Sequence, residues 1–334
     1  MKKILLSLVF FSTFVSLVEG QDTFSIVAAD SAKRETGSAG ASCVDLFSAG
    51  YPDATFLGDL LPDTGAINTQ ASYLPANQNN ARTRMRDGDT PAQIIDWLIN
   101  NDAGSDPTIR QYGIVGFTGN NVSAAGYTGI NCMDYKNNVE GSIGGIYYSI
   151  QGNILLGQKV LDSMEARFRR AEVDLACRLM AALQGAKMTG ADTRCTSDGT
   201  SSLFAFIKVA QPTDAYGNPS FIISVKTHTQ AHIEPIDSLQ VLFDLQHSCT
   251  ATGLNRETFN DDLNVFPNPT GNEIVIKANP SLTGSEYTIT DLYGRCMLTG
   301  RIKRDAESVD IHQLSKGIYF IRVGNSCRNR FIKK

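Results

Sequence analysis

The chain has no run of lysine or arginine long enough to track a phosphate backbone, and its 34 acidic residues outnumber 30 basic ones, for a formal net charge of -4. No nucleic-acid partner is expected. Beyond the first twenty residues no stretch is long and apolar enough to span a bilayer, so the mature chain is expected to carry no transmembrane segment. None of the seven cysteines (Cys43, Cys132, Cys177, Cys195, Cys249, Cys296, Cys327) has Cys-x-x-Cys spacing, which removes the usual zinc and thiol-redox arrangements. His228 and His232 lie four apart without a third ligand nearby in sequence. Neither a metal nor a cofactor is expected.

What is present suffices for at least one full core. Of 334 residues, 42% are hydrophobic and 19% charged, and two domains are the natural expectation. Lys2 and Lys3 precede an apolar run from Ile4 to Val18, and Val18-Glu19-Gly20 offers small residues where a signal peptidase reads. Residues 1–20 read as a signal peptide rather than a membrane anchor, because the run falls short of the ~20 residues a spanning helix needs. In an exported chain disulfides are plausible, and the odd cysteine count leaves at least one thiol unpaired. Their connectivity is not legible, although Cys296 and Cys327 share the C-terminal part and form the most economical pair.

Periodicity predicts a strand at Thr23 to Ala29, a second at Ser38 to Cys43, and a helix opened by the Thr90-Pro91 cap, with Ile94, Ile95, Leu98 and Ile99 on one face. Strands follow at Ile109 to Phe117, Asn121 to Gly126 and Tyr147 to Ile150. Two helices carry the stripes Val160, Leu161, Met164, Phe168 and Leu175, Leu179, Met180, Leu183. Strands at Ser202 to Val209 and Phe221 to Lys226 and a helix at Ile236 to Gln246 close this part. The order suggests helices layered on an antiparallel β-sandwich. Residues 249–262 are polar and read as a linker, and short strands at turn spacing fill residues 263–334.

Three patterns in that last segment resemble the type IX secretion sorting domain: Asn264-Val265-Phe266-Pro267-Asn268-Pro269-Thr270, Thr288-Ile289-Thr290-Asp291-Leu292-Tyr293-Gly294-Arg295, and Leu314-Ser315-Lys316-Gly317-Ile318-Tyr319-Phe320-Ile321-Arg322-Val323. The resemblance implies an all-β, immunoglobulin-like sandwich. It also implies passage through the type IX machinery, removal of the module by a sortase, and release or attachment of the remainder at the cell surface.

Residues 21–248 carry a second resemblance, on Thr23-Phe24-Ser25-Ile26-Val27-Ala28, Thr69-Gln70-Ala71, Tyr127-Thr128-Gly129, Gln151-Gly152-Asn153-Ile154-Leu155-Leu156-Gly157 and Gly190-Ala191-Asp192. These resemble an uncharacterised bacterial family catalogued as domain of unknown function 1028, whose fold looks like that of the N-terminal-nucleophile hydrolases. The resemblance implies an α+β domain built as a four-layer αββα sandwich.

In those hydrolases a Thr, Ser or Cys becomes the first residue, and its own α-amine, titrating near ~8, takes the hydroxyl proton. Thr23 is the candidate nucleophile. It is equally readable as the first residue of a core strand, since cleavage after Gly20 leaves Gln21-Asp22 in front and makes its nitrogen an amide. Gln151, Gly152 and Asn153 can orient a substrate carbonyl or build an oxyanion site, or form a strand-to-helix turn with Asn153 as cap. Asp192 can hold the nucleophile's amine or a substrate amine, or be a solvated loop carboxylate paired with Arg194. Thr69 and Gln70 are supporting candidates. Cys132 reads as a buried thiol or half of a disulfide rather than a nucleophile. The expected activity is an amidohydrolase acting on an amide or peptide bond, with a non-catalytic surface binding module as the alternative.

Overall fold

The computed structural model describes residues 21–22, 24–171, 174–249, 263–292, 294–323 and 327–334. The chain divides into two compact units, Met1–Leu239 and Gln240–Lys334. In chain order the elements up to residue 246 are β1 (Gln21–Asp22), β2 (Phe24–Asp30), β3 (Glu35–Ser42), α1 (Leu46–Ala49), β4 (Gly58–Leu61), β5 (Gly65–Ser72), α2 (Pro75–Arg86), α3 (Pro91–Asn100), β6 (Arg110–Thr118), β7 (Asn121–Thr128), β8 (Asn137–Ile143), β9 (Ile146–Gly152), α4 (Lys159–Arg170), α5 (Leu175–Ala186), β10 (Phe204–Ala210), β11 (Phe221–Lys226) and α6 (Pro235–Gln246).

These strands make two antiparallel sheets. One runs β1-β5-β6-β7 with β4 also on β5; the other runs β11-β10-β3-β2-β9-β8. Helices α2 and α3 lie on the first sheet and α4 and α5 on the second, while β2 and β9 of the second sheet face β5, β6 and β7 of the first. Side-chain alternation explains this layering. On β5, Ile67 packs with Ala81, Met85 and Ile94 under the helices. Its neighbour Ala66 instead joins Val27, Ala29 and Val115 between the sheets.

Local chemistry sets the helices as expected. Thr90 and Gln93 form a reciprocal capping box with Pro91 in the first turn of α3. On α4 the buried stripe is Val160, Leu161, Met164 and Phe168. Gly185 of α5 has a role that its place near the helix end does not reveal: a Cβ there would meet the Ser163 carbonyl, so the glycine lets α4 and α5 close on each other. Six elements go beyond the sequence reading, β1, α1, β4, β5, α2 and β8, and of these β5 and α2 bury amides beside their apolar residues.

The second unit holds β12 (Leu263–Phe266), β13 (Glu273–Ala278), β14 (Glu286–Thr290), β15 (Cys296–Arg301), β16 (Ala306–Asp310), β17 (Gly317–Val323) and β18 (Cys327–Lys333). They form sheets ordered β12-β13-β16 and β15-β14-β17-β18, and one apolar core draws Ile274, Ile276, Ile289, Ile321, Val323 and Phe331 from both. The expected Cys296–Cys327 pair does not form: Cys296 is a free, exposed thiol. The strands that begin with these residues are opposite edges of one sheet. Three strand spacings, about 14 Å, separate such edges, twice the reach of a disulfide. The linker expected at 249–262 lies, after Cys249, outside the described residues.

Candidate active site

One end of the sheet–sheet interface is polar. Ser25 of β2 sits at its centre, donating to Gln70 Oε1 (2.5 Å) and accepting from Gln151 Nε2 (2.5 Å). Gln70 Nε2 donates to Gln111 Oε1 (2.8 Å), and Gln111 Nε2 donates to Thr128 Oγ1 (2.8 Å) and the Gly152 carbonyl (2.9 Å). Ser149 completes the cluster by donating to Gln151 Oε1 (3.1 Å). All of Ser25, Gln70, Gln111, Ser149 and Gln151 are buried. An unpaired amide in such a place costs roughly 1–3 kcal/mol, so the mutual pairing is what makes this interior tolerable. Gly113, across from Gln151 on β6, is part of the design, because any Cβ would strike the Gln151 carboxamide.

Thr23 lies outside the described residues. Asp22, on β1, pairs with Ala71 of the first sheet. Phe24, on β2, pairs with Ala41 and Gly152 of the second. The chain therefore crosses from one sheet to the other between Asp22 and Phe24, at the polar end of the interface.

Asp192 is brought to the same end. Its carboxylate accepts from the Cys43 amide (2.7 Å) and from Arg194 Nε (3.0 Å) and Nη2 (2.7 Å). It is fully buried, which corrects its reading as a solvated loop carboxylate; Arg194 remains its partner. A disulfide between Cys43 and Cys195 clamps this loop to the end of β3, with the Cα atoms 5.6 Å apart. Cys177 and Cys249 are also disulfide-bonded.

Asn153 is 2% exposed, and its Oδ1 has no hydrogen-bond partner. It is not a helix cap, since α4 begins at Lys159 behind Gln158. Instead it lines a cavity of about 200 Å³ with Ala71, Ser72, Ile109, Cys132 and Met133. Two non-glycine residues at this cavity hold left-handed backbones, Ala71 (φ 64) and Ile154 (φ 55). For a β-branched residue this is a true outlier, kept only where surrounding bonds over-determine it. Ile154 has them: its N–H donates to the Met133 carbonyl, and its carbonyl accepts from both the amide and the hydroxyl of Thr193.

Other candidates fall away from this constellation. Thr69 is buried, but alternation along β5 turns it with Ile67 toward α2 and α3, away from Gln70 and Ser25. Cys132 is a buried free thiol that burial pushes up to about 11, so almost none is thiolate at neutral pH. His228 stacks on Phe47 while His232 Nδ1 meets the Asp198 carbonyl, so the two histidines do not share a ligand position. Residues missed by sequence reasoning are Ser25, Ser149 and Gln111; the available signal was a hydroxyl or amide at an inward position of an otherwise apolar strand. The Arg110–Asp102 ion pair was missed as well. It buttresses the cavity wall, with Arg110 Nη1 donating to the Ser72 carbonyl and Nε to Asp102 (2.9 Å). Burial opposes ionisation of Asp102, but hydrogen bonds from Arg110 and Asn77 outweigh it and hold the carboxyl below its ordinary range.

These features define a two-part protein: an α+β unit whose antiparallel sheets share a polar, cavity-bearing end, followed by a β unit with an apolar core. The chain belongs to the family of unknown function DUF1028, which it matches over residues 23–239. Residues 264–334 match the secretion system C-terminal sorting domain, the tail of type IX secretion, which supports export to the cell surface or beyond. No helix among the described residues is long and apolar enough to cross a membrane. No curated protein matches the chain. Among solved structures, the crystal structure of protein SPO2555 from Silicibacter pomeroyi, assigned to DUF1028, is similar at a TM-score of 0.51 and 23% identity, covering 67% of this chain and 86% of that one. At that identity the likeness speaks for the fold alone.

Proposed function

We propose that the protein is an exported amidohydrolase of the N-terminal-nucleophile type, with Thr23 as nucleophile. The observation that carries this reading is convergence. Asp22 pairs with the first sheet and Phe24 with the second, at the end where the buried Ser25–Gln70–Gln111–Gln151 cluster, Asp192 and the Asn153 cavity lie. The layering of α2 and α3, two sheets, and α4 and α5 is read as the αββα sandwich of those hydrolases, and the C-terminal unit as an immunoglobulin-like module that a sortase removes.

In this mechanism the free α-amine of Thr23 takes the proton from its own hydroxyl as Oγ attacks the substrate carbonyl. Backbone N–H groups beside Gly152 and the Asn153 side chain receive the developing oxyanion. The leaving amine departs with the proton, and water then hydrolyses the acyl-enzyme ester with the same amine as base. Amides from cell-wall peptides fit the surface location.

A second reading, a binding module without turnover, is favoured by one observation: Gln21 and Asp22 pair with Ser72 and Ala71, and a chain that keeps them has no free amine at Thr23. The two separate on a panel of peptide and acyl amides with the secreted protein. The hydrolase releases amine and loses that activity in Thr23→Ala, and rapid quench finds an acyl adduct on Thr23. Equal background rates for the two proteins sink it.

A further inference from the structure

The cavity beside Asn153 has a chemistry of its own. Its lining residues, Ala71, Ser72, Ile109, Asn131, Cys132, Met133 and Asn153, carry no charged side chain, and the nearby ionic groups are committed: Arg110 to Asp102, and Arg194 to Asp192. A ligand whose recognition needs a counter-charge gains nothing here. Among the lining residues, the buried side-chain atom without a hydrogen-bond partner is Asn153 Oδ1, an acceptor without a donor. Of the lining, Met133 is a large apolar side chain left in water, at 45% exposure, and Ile130 (77%) and Leu156 (41%), close in sequence to Asn131 and Asn153, are exposed as well. Met133 and Leu156 come from segments tied together, the Ile154 and Leu155 amides donating to the Met133 and Tyr135 carbonyls. At about 200 Å³ the cavity is smaller than the roughly 300–1,000 Å³ of a site for a drug-sized ligand. It suits one residue-sized unit.

We infer that this cavity is a subsite for an uncharged amide bearing a branched apolar side chain: the ligand N–H donates to Asn153 Oδ1, and its side chain lies against Met133. As the specificity pocket of a hydrolase the subsite rests on the reading above; as a binding site it does not. The unmet acceptor supplies orientation, and the exposed Met133 side chain supplies affinity by leaving water on binding.

The test is a titration of the mature chain followed by the methyl resonance of Met133, assigned by its loss in Met133→Leu. The probes are N-acetyl-leucine methylamide and its glycine and aspartate counterparts. The leucine probe moves the resonance saturably, and the other two bind at least about tenfold more weakly. Asn153→Leu, which keeps the volume, weakens the leucine probe about fivefold, the worth of one hydrogen bond, and Met133→Glu, which lacks the reporter methyl and is titrated by calorimetry instead, removes the preference for leucine over aspartate. The subsite is overturned if the leucine probe gives no saturable shift, if all three probes bind alike, or if Asn153→Leu, melting like the parent, keeps full affinity. Binding that survives in a chain without hydrolysis leaves the subsite standing and sinks only the hydrolase. Turnover without preference among the three side chains does the reverse.

Discussion

The two units solve the same packing problem, sheet against sheet, with opposite interiors. In the C-terminal unit the core is drawn from Ile274, Ile276, Ile289, Ile321, Val323 and Phe331. Its buried polar residues, among those described, are Thr270 and Lys333, and Lys333 Nζ donates to the Ile311 and His312 carbonyls. In the N-terminal unit the interface is apolar at Val27, Ala29, Val115 and Phe117 but becomes a web of hydroxyls and amides toward Ser25 and Gln151. An interior of isoleucine is the simpler way to hold two sheets together, and the C-terminal unit uses it. Buried amides cost desolvation and demand close pairing, and in this unit they concentrate at one end of the interface.

The largest expected effect that sharpens this contrast is in the apolar unit. Ile289→Ala leaves a cavity in a filled core and costs about 2–5 kcal/mol; urea unfolding followed by limited proteolysis finds residues 263–334 cleaved first, with the N-terminal unit unchanged. In the polar interface, Ser25→Ala strands Gln70 Oε1 and Gln151 Nε2 together and costs about 1–3 kcal/mol, read as a lower urea midpoint at constant slope. If Ser25→Ala is neutral, the web is decoration and the contrast collapses.

A third effect is set by pH. Because Asp102 ionises below its ordinary range when folded, the stability it contributes is complete above the unfolded value of about 4 and is lost as pH falls through the folded value. Acid denaturation of Asp102→Asn is therefore flatter below pH 4 than that of the parent. The smallest effects are at Asn153 and Cys296. Asn153→Leu removes an unsatisfied buried oxygen and leaves the melting temperature equal or higher, while Cys296→Ser on an exposed edge changes stability by less than about 0.5 kcal/mol.

The same contrast explains what the sequence made legible. Elements with an apolar period were readable: α3, α4 and α5 by their stripes, β2 and β10 by their runs, and the C-terminal strands by spacing. Those missed include β5, Gly-Ala-Ile-Asn-Thr-Gln-Ala-Ser, and α2, whose Pro-Ala-Asn-Gln-Asn-Asn start reads as loop, yet Asn68, Gln70, Asn77 and Gln78 are all buried. Polar residues look like solvent-facing positions until partners elsewhere in the chain are known, and Ser25 meets Gln70 across 45 residues and Gln151 across 126. Motif likeness drew attention to Gln70, Gln151 and Asp192, which the fold gathers at one end. It drew equal attention to Thr69, which alternation turns away. The Cys43–Cys195 bridge was beyond reach because it spans 152 residues.

The most direct measurement is the mass of the N-terminal peptide of the protein recovered from its native extracellular fraction. An N-terminal-nucleophile hydrolase begins at Thr23, with Gln21 and Asp22 removed from their pairing with Ser72 and Ala71. A chain that begins at Gln21, as glutamine or as pyroglutamate, has no base at Thr23 and contradicts the mechanism.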